Sequence, residues 1–267
     1  NSYVEAPAAR VRKSVAVPSR GARAVPITDA ATAPTVRRAS GLEGLDRVLG
    51  GGLVPGSLLL LAGEPGIGKS TLVLQVAAAL AASAGPVVYV TGEESAEQVA
   101  LRGSRLAALH PNLLLLPETS CEAVLAQLAA IEPKLVVVDS VQTAVVDGVD
   151  AVAGSVSQVR QVAARFQHYA KTHGVPVILV GHVTKDGSIA GPKLLEHLVD
   201  VVMSLEGEPG HDLRALRAAK NRFGTVAELA LYSMTGGGLE AVQNASAWLL
   251  EDRQSGAAGS AVAVALE

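Results

Sequence analysis

The chain has 267 residues, 49% hydrophobic, 18% charged and only 3% aromatic, so its core must be aliphatic and is large enough to stand without disulfides or metals. A single cysteine, Cys121, excludes an intrachain disulfide framework and any cysteine-based zinc cluster in this chain, which suits a reducing cytoplasm. Net charge is −3, too little for a general pull on nucleic acid, and the apolar runs are too short or too interrupted to span a bilayer, so a soluble protein with no membrane partner is expected.

Residues 1–38 alternate Ala, Val, Pro, Ser and Arg without helical or strand period, and prolines at 7, 18, 26 and 34 read as an extended linker. Arg10, Arg12, Lys13, Arg20, Arg23, Arg37 and Arg38 against Glu5 and Asp29 make this arm +5 and leave −8 on the remainder. A basic arm beside an acidic body suits a polyanion, a neighbouring subunit or plain solubility. Next, Ser40 is placed to cap a short helix over 42–49, with Leu42, Leu45 and Leu49 at helical spacing and Gly50-Gly51-Gly52 to stop it.

An apolar run over 57–61 then leads into Gly63-Glu64-Pro65-Gly66-Ile67-Gly68-Lys69-Ser70-Thr71 and a helix-forming stretch to about residue 82. This is G-x-x-x-x-G-K-[ST] in the strand–loop–helix setting that gives the pattern meaning. Glycines let backbone N–H groups turn inward around phosphates, and the helix adds the positive end of its dipole. Lys69 is expected to reach the β- and γ-phosphates and Ser70 to hold Mg²⁺, making ATP and Mg²⁺ the expected cofactors.

Downstream, strands are expected over 87–90, 113–116, 135–138 and 175–180, with helices over 95–109, capped by Ser95, 122–131 and from about 155 to 173. A short helix over 194–198, a strand over 199–205 and two more over 212–219 and 228–234 follow, the last two joined by an exposed turn at Lys220-Asn221-Arg222-Phe223-Gly224. Strands alternating with helices and then a group of strands give an α/β fold: a mostly parallel central sheet flanked by helices and extended by antiparallel strands.

Hydrolysis of a phosphoanhydride needs a cradle, a metal-holding acid, a group that orients water and positive charge on the leaving oxygens. Asp139 ends an apolar strand at the carboxyl edge, where open α/β sheets bind ligands, and is the expected second Mg²⁺ site. Glu93, past the strand that follows the P-loop helix, is the candidate for positioning water, with Glu94 as the adjacent alternative. His182 ends another strand and is a candidate γ-phosphate sensor. Lys220 and Arg222 read either as a solubilising pair or as a finger donated to a neighbour's nucleotide. Lys185 and Lys193, in a glycine-containing loop over 183–193, are candidates for single-stranded DNA phosphates, though the scarcity of Phe, Tyr and Trp argues against extensive base stacking.

From residue 40 onward the chain resembles the central ATPase domain of the bacterial RadA (Sms) family of DNA-repair proteins, within the RecA superfamily. The matching stretches run from Gly41 to Gly52, from Gly63 to Thr71, from Tyr89 to Ser95, from Val138 to Thr143, from Gly181 to Lys185, from Gly191 to His197, and through Lys-Asn-Arg-Phe-Gly at 220–224. The resemblance implies a RecA-like P-loop NTPase core over 39–250 and DNA-dependent ATP hydrolysis in homologous recombination. Hexameric rings acting on single-stranded DNA, branch migration of recombination intermediates, RecA as a partner and a cytoplasmic location are also implied. By the same resemblance Glu93 activates water, His182 senses the γ-phosphate, 183–193 meets DNA, and Lys220 and Arg222 act across a subunit interface. The family carries an N-terminal four-cysteine zinc finger and a C-terminal Lon-protease-like domain; residues 1–38 and 251–267, with a strand-like stretch over 261–266, read as the edges of both. Two other classes fit the motifs: a switch or autokinase resembling KaiC proteins, which share the glycine-rich and P-loop stretches, and a nucleotide-binding assembly module.

Overall fold

The computed structural model describes residues 24, 26–28, 36–182, 195–207 and 211–242. The chain divides into two units, 1–35 and 36–267, and the second carries every strand among the described residues. Most of the arm and all of the stretch over 251–267, including the strand-like run at 261–266, lie outside the described residues.

Helix α1 spans Glu43–Leu49 and precedes β1, Leu58–Gly63, and α2, Lys69–Ser83. Then come β2 (Val87–Thr91), α3 (Ala96–Arg105), β3 (Leu113–Pro117), α4 (Cys121–Ile131), β4 (Leu135–Asp139), α5 (Val156–His173) and β5 (Val177–His182). The chain continues as β6 (Val201–Glu206), β7 (Leu213–Asn221), β8 (Leu229–Thr235) and β9 (Gly238–Ala241). Among the described residues these strands make one sheet ordered β3-β2-β4-β5-β1-β6-β7-β8-β9. The neighbours from β3 through β6 pair in parallel and those from β6 through β9 antiparallel. The predicted parallel sheet with an antiparallel extension is therefore the observed one, and the short β9 is an addition to it.

Strands buried on both faces explain the continuous apolar runs. Leu59 and Leu61 of β1 join Leu135 and Val137 of β4 in one core with α1 and α2, whereas Leu58, Leu60, Val136 and Val138 face the opposite core with α4 and α5. Period two along each strand thus splits one aliphatic sequence into two cores.

Three local expectations need correction. Ser40 does not cap α1: Leu42 occupies the cap position without a side-chain bond, while Asp46 Oδ1 accepts from the Ser40 N–H at 2.8 Å and ties the entry segment to the helix. Helix α3 ends at Arg105 rather than near 109. Ala107 enters the left-handed region at φ 51°, its N–H donates to Ser104 O and the Ala108 N–H to Gly103 O, a Schellman closure with alanine where glycine is usual. Residues 220–224 are not a single exposed turn, because β7 runs through Lys220 to Asn221 and Phe223 packs partly buried against the core.

Candidate nucleotide site

Parallel strand direction brings the chemistry-bearing residues to one edge. In register, Gly63 of β1 lies beside His182 of β5, and Thr91 of β2 beside Asp139 of β4. Around them opens a cavity of about 310 Å³ lined by Gly66, Gly68, Lys69, Ser70, Thr71, Thr91, Glu93, Glu94, Arg102, Asp139 and His182. Of the predicted site residues, Lys69, Ser70, Asp139, Glu93 and His182 are therefore brought together.

The loop over 63–68 is shaped by backbone that only glycine adopts freely. Gly66 and Gly68 have φ of 79° and 111°, and a Cβ on Gly68 would lie 2.4 Å from Met234 Cε. Helix α2 begins at Lys69 directly behind the loop, so its unpaired N–H groups and dipole face the cavity. Lys69 is 3% exposed, and its ammonium donates to Gly63 O at 2.8 Å and Glu64 O at 2.7 Å. Burial lowers its pKa, with Asp139 and Glu93 pulling the other way. A buried ammonium in this setting is suited to an anion, and a triphosphate fits the concave glycine cradle.

Hard-oxygen donors suited to Mg²⁺ face the same space: the Ser70 hydroxyl and the Asp139 carboxylate, 8% exposed. Among the described residues no group of three or more His, Cys, Asp or Glu could hold a metal unaided, so phosphate oxygens would complete the coordination. Asp139 is itself oriented by a residue that sequence reading passed over. Tyr89, fully buried on β2, donates its hydroxyl to Asp139 Oδ2 at 2.5 Å, and burial followed by the Asp139 charge raises the phenol pKa well above its ordinary value. Its one signal in the sequence is a polar-tipped side chain inside an otherwise aliphatic strand.

Glu93 and Glu94 are separated by their partners. Ser140 Oγ donates to Glu93 Oε1 at 2.7 Å, and His182 Nε2 stands 3.5 Å from the same oxygen. Glu94 instead pairs with Arg102 of α3 at 2.5 Å, while Thr91 Oγ1 accepts from the Glu94 N–H and donates to the Glu94 carbonyl. Arg102 lines the cavity, and the sequence did not single it out. Ser95 caps α3 in a full capping box with Gln98, which fixes the chain leaving the two glutamates.

Lys220 and Arg222 lie at the opposite edge. Asn221 pairs with Val201 at the start of β6, and Asp200, one residue earlier, donates its N–H to Leu58 O at the start of β1. The length of β1, about 17 Å, stands between them and the P-loop. Lys220 Nζ donates to the carbonyls of Glu196 and Val199, the second at 2.9 Å, and Arg222 Nη1 lies 3.5 Å from Asp200 Oδ1. Lys185 and Lys193 lie outside the described residues.

A P-loop, a strand-end carboxylate and a glutamate at one edge of a RecA-like sheet define a nucleoside-triphosphate-binding domain of the P-loop class. The chain belongs to the AAA domain family, which it matches over residues 29–188. It is similar to proteins named DNA repair protein RadA: 49% identical to that of Halalkalibacterium halodurans over 92% of this chain and 54% of the relative, and 48% identical to that of Bacillus subtilis over 91% and 53%. The Streptococcus pneumoniae protein of the same name is 49% identical over 85% of this chain and 54% of its own length. The resemblance drawn from the motifs thus holds, and the chain spans about half the length of these curated relatives. In fold it is similar to a KaiC-like protein of Pyrococcus horikoshii, with a TM-score of 0.64 and 21% identity over 78% of this chain and all of that one. Among the described residues no helix is long and apolar enough to cross a membrane.

Proposed function

We propose that the protein is a Mg²⁺-dependent, DNA-stimulated ATPase of homologous recombination and DNA repair. In this reading it is a RecA-like motor, assembled as a hexameric ring, that acts on single-stranded DNA and promotes branch migration in the cytoplasm, with RecA as a partner. The observation that carries the reading is the convergence of Lys69, Ser70, Asp139, Glu93 and His182 on one cavity at the carboxyl edge. The names of the RadA relatives support the repair setting.

The loop Gly63, Glu64, Pro65, Gly66, Ile67, Gly68, Lys69, Ser70 and Thr71 holds the nucleotide. Ser70 and Asp139 would hold Mg²⁺, which would supply charge neutralisation on the phosphate oxygens. Lys69 leaves its loop carbonyls for the phosphates. Glu93 orients the attacking water: Ser140 holds Oε1, which leaves Oε2 without a partner among the described residues and free to accept from water. His182, beside the same carboxylate, reads the γ-phosphate and passes its loss to 183–193, where Lys185 and Lys193 contact the DNA backbone. Arg222, with Lys220 beside it, serves the nucleotide of the adjacent subunit, since its own pocket lies at the other sheet edge.

Single-stranded DNA should raise ATP turnover, and Lys69→Ala should abolish it. Turnover indifferent to DNA, with labelled phosphate retained on the protein, would overturn the motor reading in favour of an autokinase. Tight ATP binding without turnover would mark an assembly module instead.

A further inference from the structure

Asp200 is a charged residue placed where charge is costly. Its side chain is 5% exposed, and Oδ2 accepts from the Leu58 N–H at 3.0 Å, which locks the carboxylate to the start of β1. Oδ1 faces two cations, Arg222 Nη1 at 3.5 Å and Lys171 Nζ at 3.9 Å. A buried carboxylate stripped of its only counter-ion is strongly disfavoured, so a single partner would be held fast. Here both partners are long, about half exposed and at similar distance, so one can leave while the other stays.

The neighbouring cations are not equivalent. Arg222 has its backbone fixed, because its N–H donates to Asp200 O at 3.1 Å, but among the described residues its guanidinium has only the loose contact with Oδ1. Lys220 Nζ is committed to two backbone carbonyls, Glu196 and Val199, and withdrawal would leave both without that donor. The side chain free to move is that of Arg222.

We infer that Arg222 is exchanged between two anions, the buried Asp200 of its own subunit and the triphosphate bound by an adjacent copy, with Lys171 as the standby counter-ion that lets Asp200 release it. This rests on the reading that Arg222 acts across the interface. Lys171 and Asp200 are then positioning residues, and Lys220 braces the strand end under Arg222 without travelling with it. A subunit without a neighbour keeps its arginine parked, and assembly with nucleotide draws it out.

The test combines phenylglyoxal modification of Arg222, read by peptide mass spectrometry in dilute subunits, with ATP turnover of the assembled protein. Lys171→Met leaves Arg222 as the one ion-pair partner of Asp200 among the described residues, with Lys220 acting only at longer range, so it should slow both modification and kcat by about fivefold, the scale of a half-exposed ion pair, with KM for ATP little changed. Lys171→Arg should restore both, and Asp200→Asn added to Lys171→Met should return modification to at least the starting rate. Modification of Lys171→Met at the unaltered rate overturns the exchange, whatever Arg222→Ala does. Full turnover by Arg222→Ala instead sinks the reading across the interface itself. Should Asp200→Asn fail to fold, Lys171→Met against Lys171→Arg decides alone.

Discussion

Gly92 carries a packing constraint that reaches the candidate water-positioning residue. A Cβ added there would lie 2.1 Å from Thr143 Oγ1 and 2.7 Å from Thr143 Cβ. Rotating Thr143 relieves only the first contact, and it breaks the bond that Oγ1 donates to Ser140 O at 2.9 Å. The second contact does not depend on χ1, so backbone must separate by about 0.7 Å before two carbons reach tolerable distance. The segments that must part are the one carrying Glu93 and the one carrying Ser140, which are also joined by the Gly92 N–H to Asp139 O at 3.0 Å. Gly92→Ala should cost about 1–3 kcal/mol of stability as overpacking. Turnover should fall further, by about 10²-fold, because a 1 Å misplacement of a catalytic group has that effect. The cradle over 63–71 is untouched, so nucleotide affinity should stay within about threefold, as read with a fluorescent ATP analogue beside steady-state hydrolysis. Thr143→Gly in the same chain removes both clashing atoms and should recover part of the rate. A folded Gly92→Ala protein with turnover near that of the unaltered chain would refute the placement of Glu93 as the group that orients water.

Tyr89→Phe removes the donor to Asp139 Oδ2 without changing the core's shape, so stability should fall by about 1.5–3 kcal/mol and nucleotide binding should need more Mg²⁺. Unchanged melting and an unchanged Mg²⁺ titration would dismiss that role. Burial lifts the Cys121 thiol from 9.0 to about 12, and Tyr169 and Tyr232 from 10.0 to about 12. The folded chain therefore holds these protons after the unfolded chain has lost them, so the contribution of these three groups to stability should be flat up to about pH 9 and fall between pH 9 and 12, each contributing up to about 1.4 kcal/mol per pH unit. Urea midpoints that do not move up to pH 11 would contradict this, as would reaction of native Cys121, 1% exposed, with a thiol reagent at pH 8. Dilution below the assembly range should lower specific ATPase activity while leaving nucleotide binding intact, because the cradle is complete within one subunit and Arg222 is not near it.

The architecture was legible because its signals are local. Runs such as Leu135 to Val138 have no polar face, which requires a strand covered on both sides, and the P-loop fixes where one strand ends and a helix begins. The cavity residues on those strand ends followed from parallel direction alone. What escaped was set by tertiary contact. Tyr89 reaches Asp139 only because β2 and β4 are neighbours in register, though 50 residues separate the two side chains. Arg102 joins the cavity through its pair with Glu94, a contact made across the turn before α3. The shorter α3 depends on Ala107 accepting a left-handed conformation, which composition gives no reason to expect.

The separation of Arg222 from its own pocket follows from a single reversal of the chain. Every parallel strand delivers its carboxyl end to the nucleotide edge, so residues from β1, β2, β4 and β5 meet there without any contiguous motif. Strand β7 runs the other way, and whatever ends it arrives at the amino edge, next to Asp200 and the first residue of β1. Strand β1, which lies between, is buried along its whole length. No side-chain rotation spans that distance, so an arginine on the end of β7 reaches a nucleotide only on another copy. Arg102 supplies the contrast: it reaches the pocket of its own subunit, but it is only 16% exposed and already committed to Glu94. A cation held that firmly anchors the turn behind Glu93, and under the proposed function the loosely held one at the far edge is the one that responds to a neighbour.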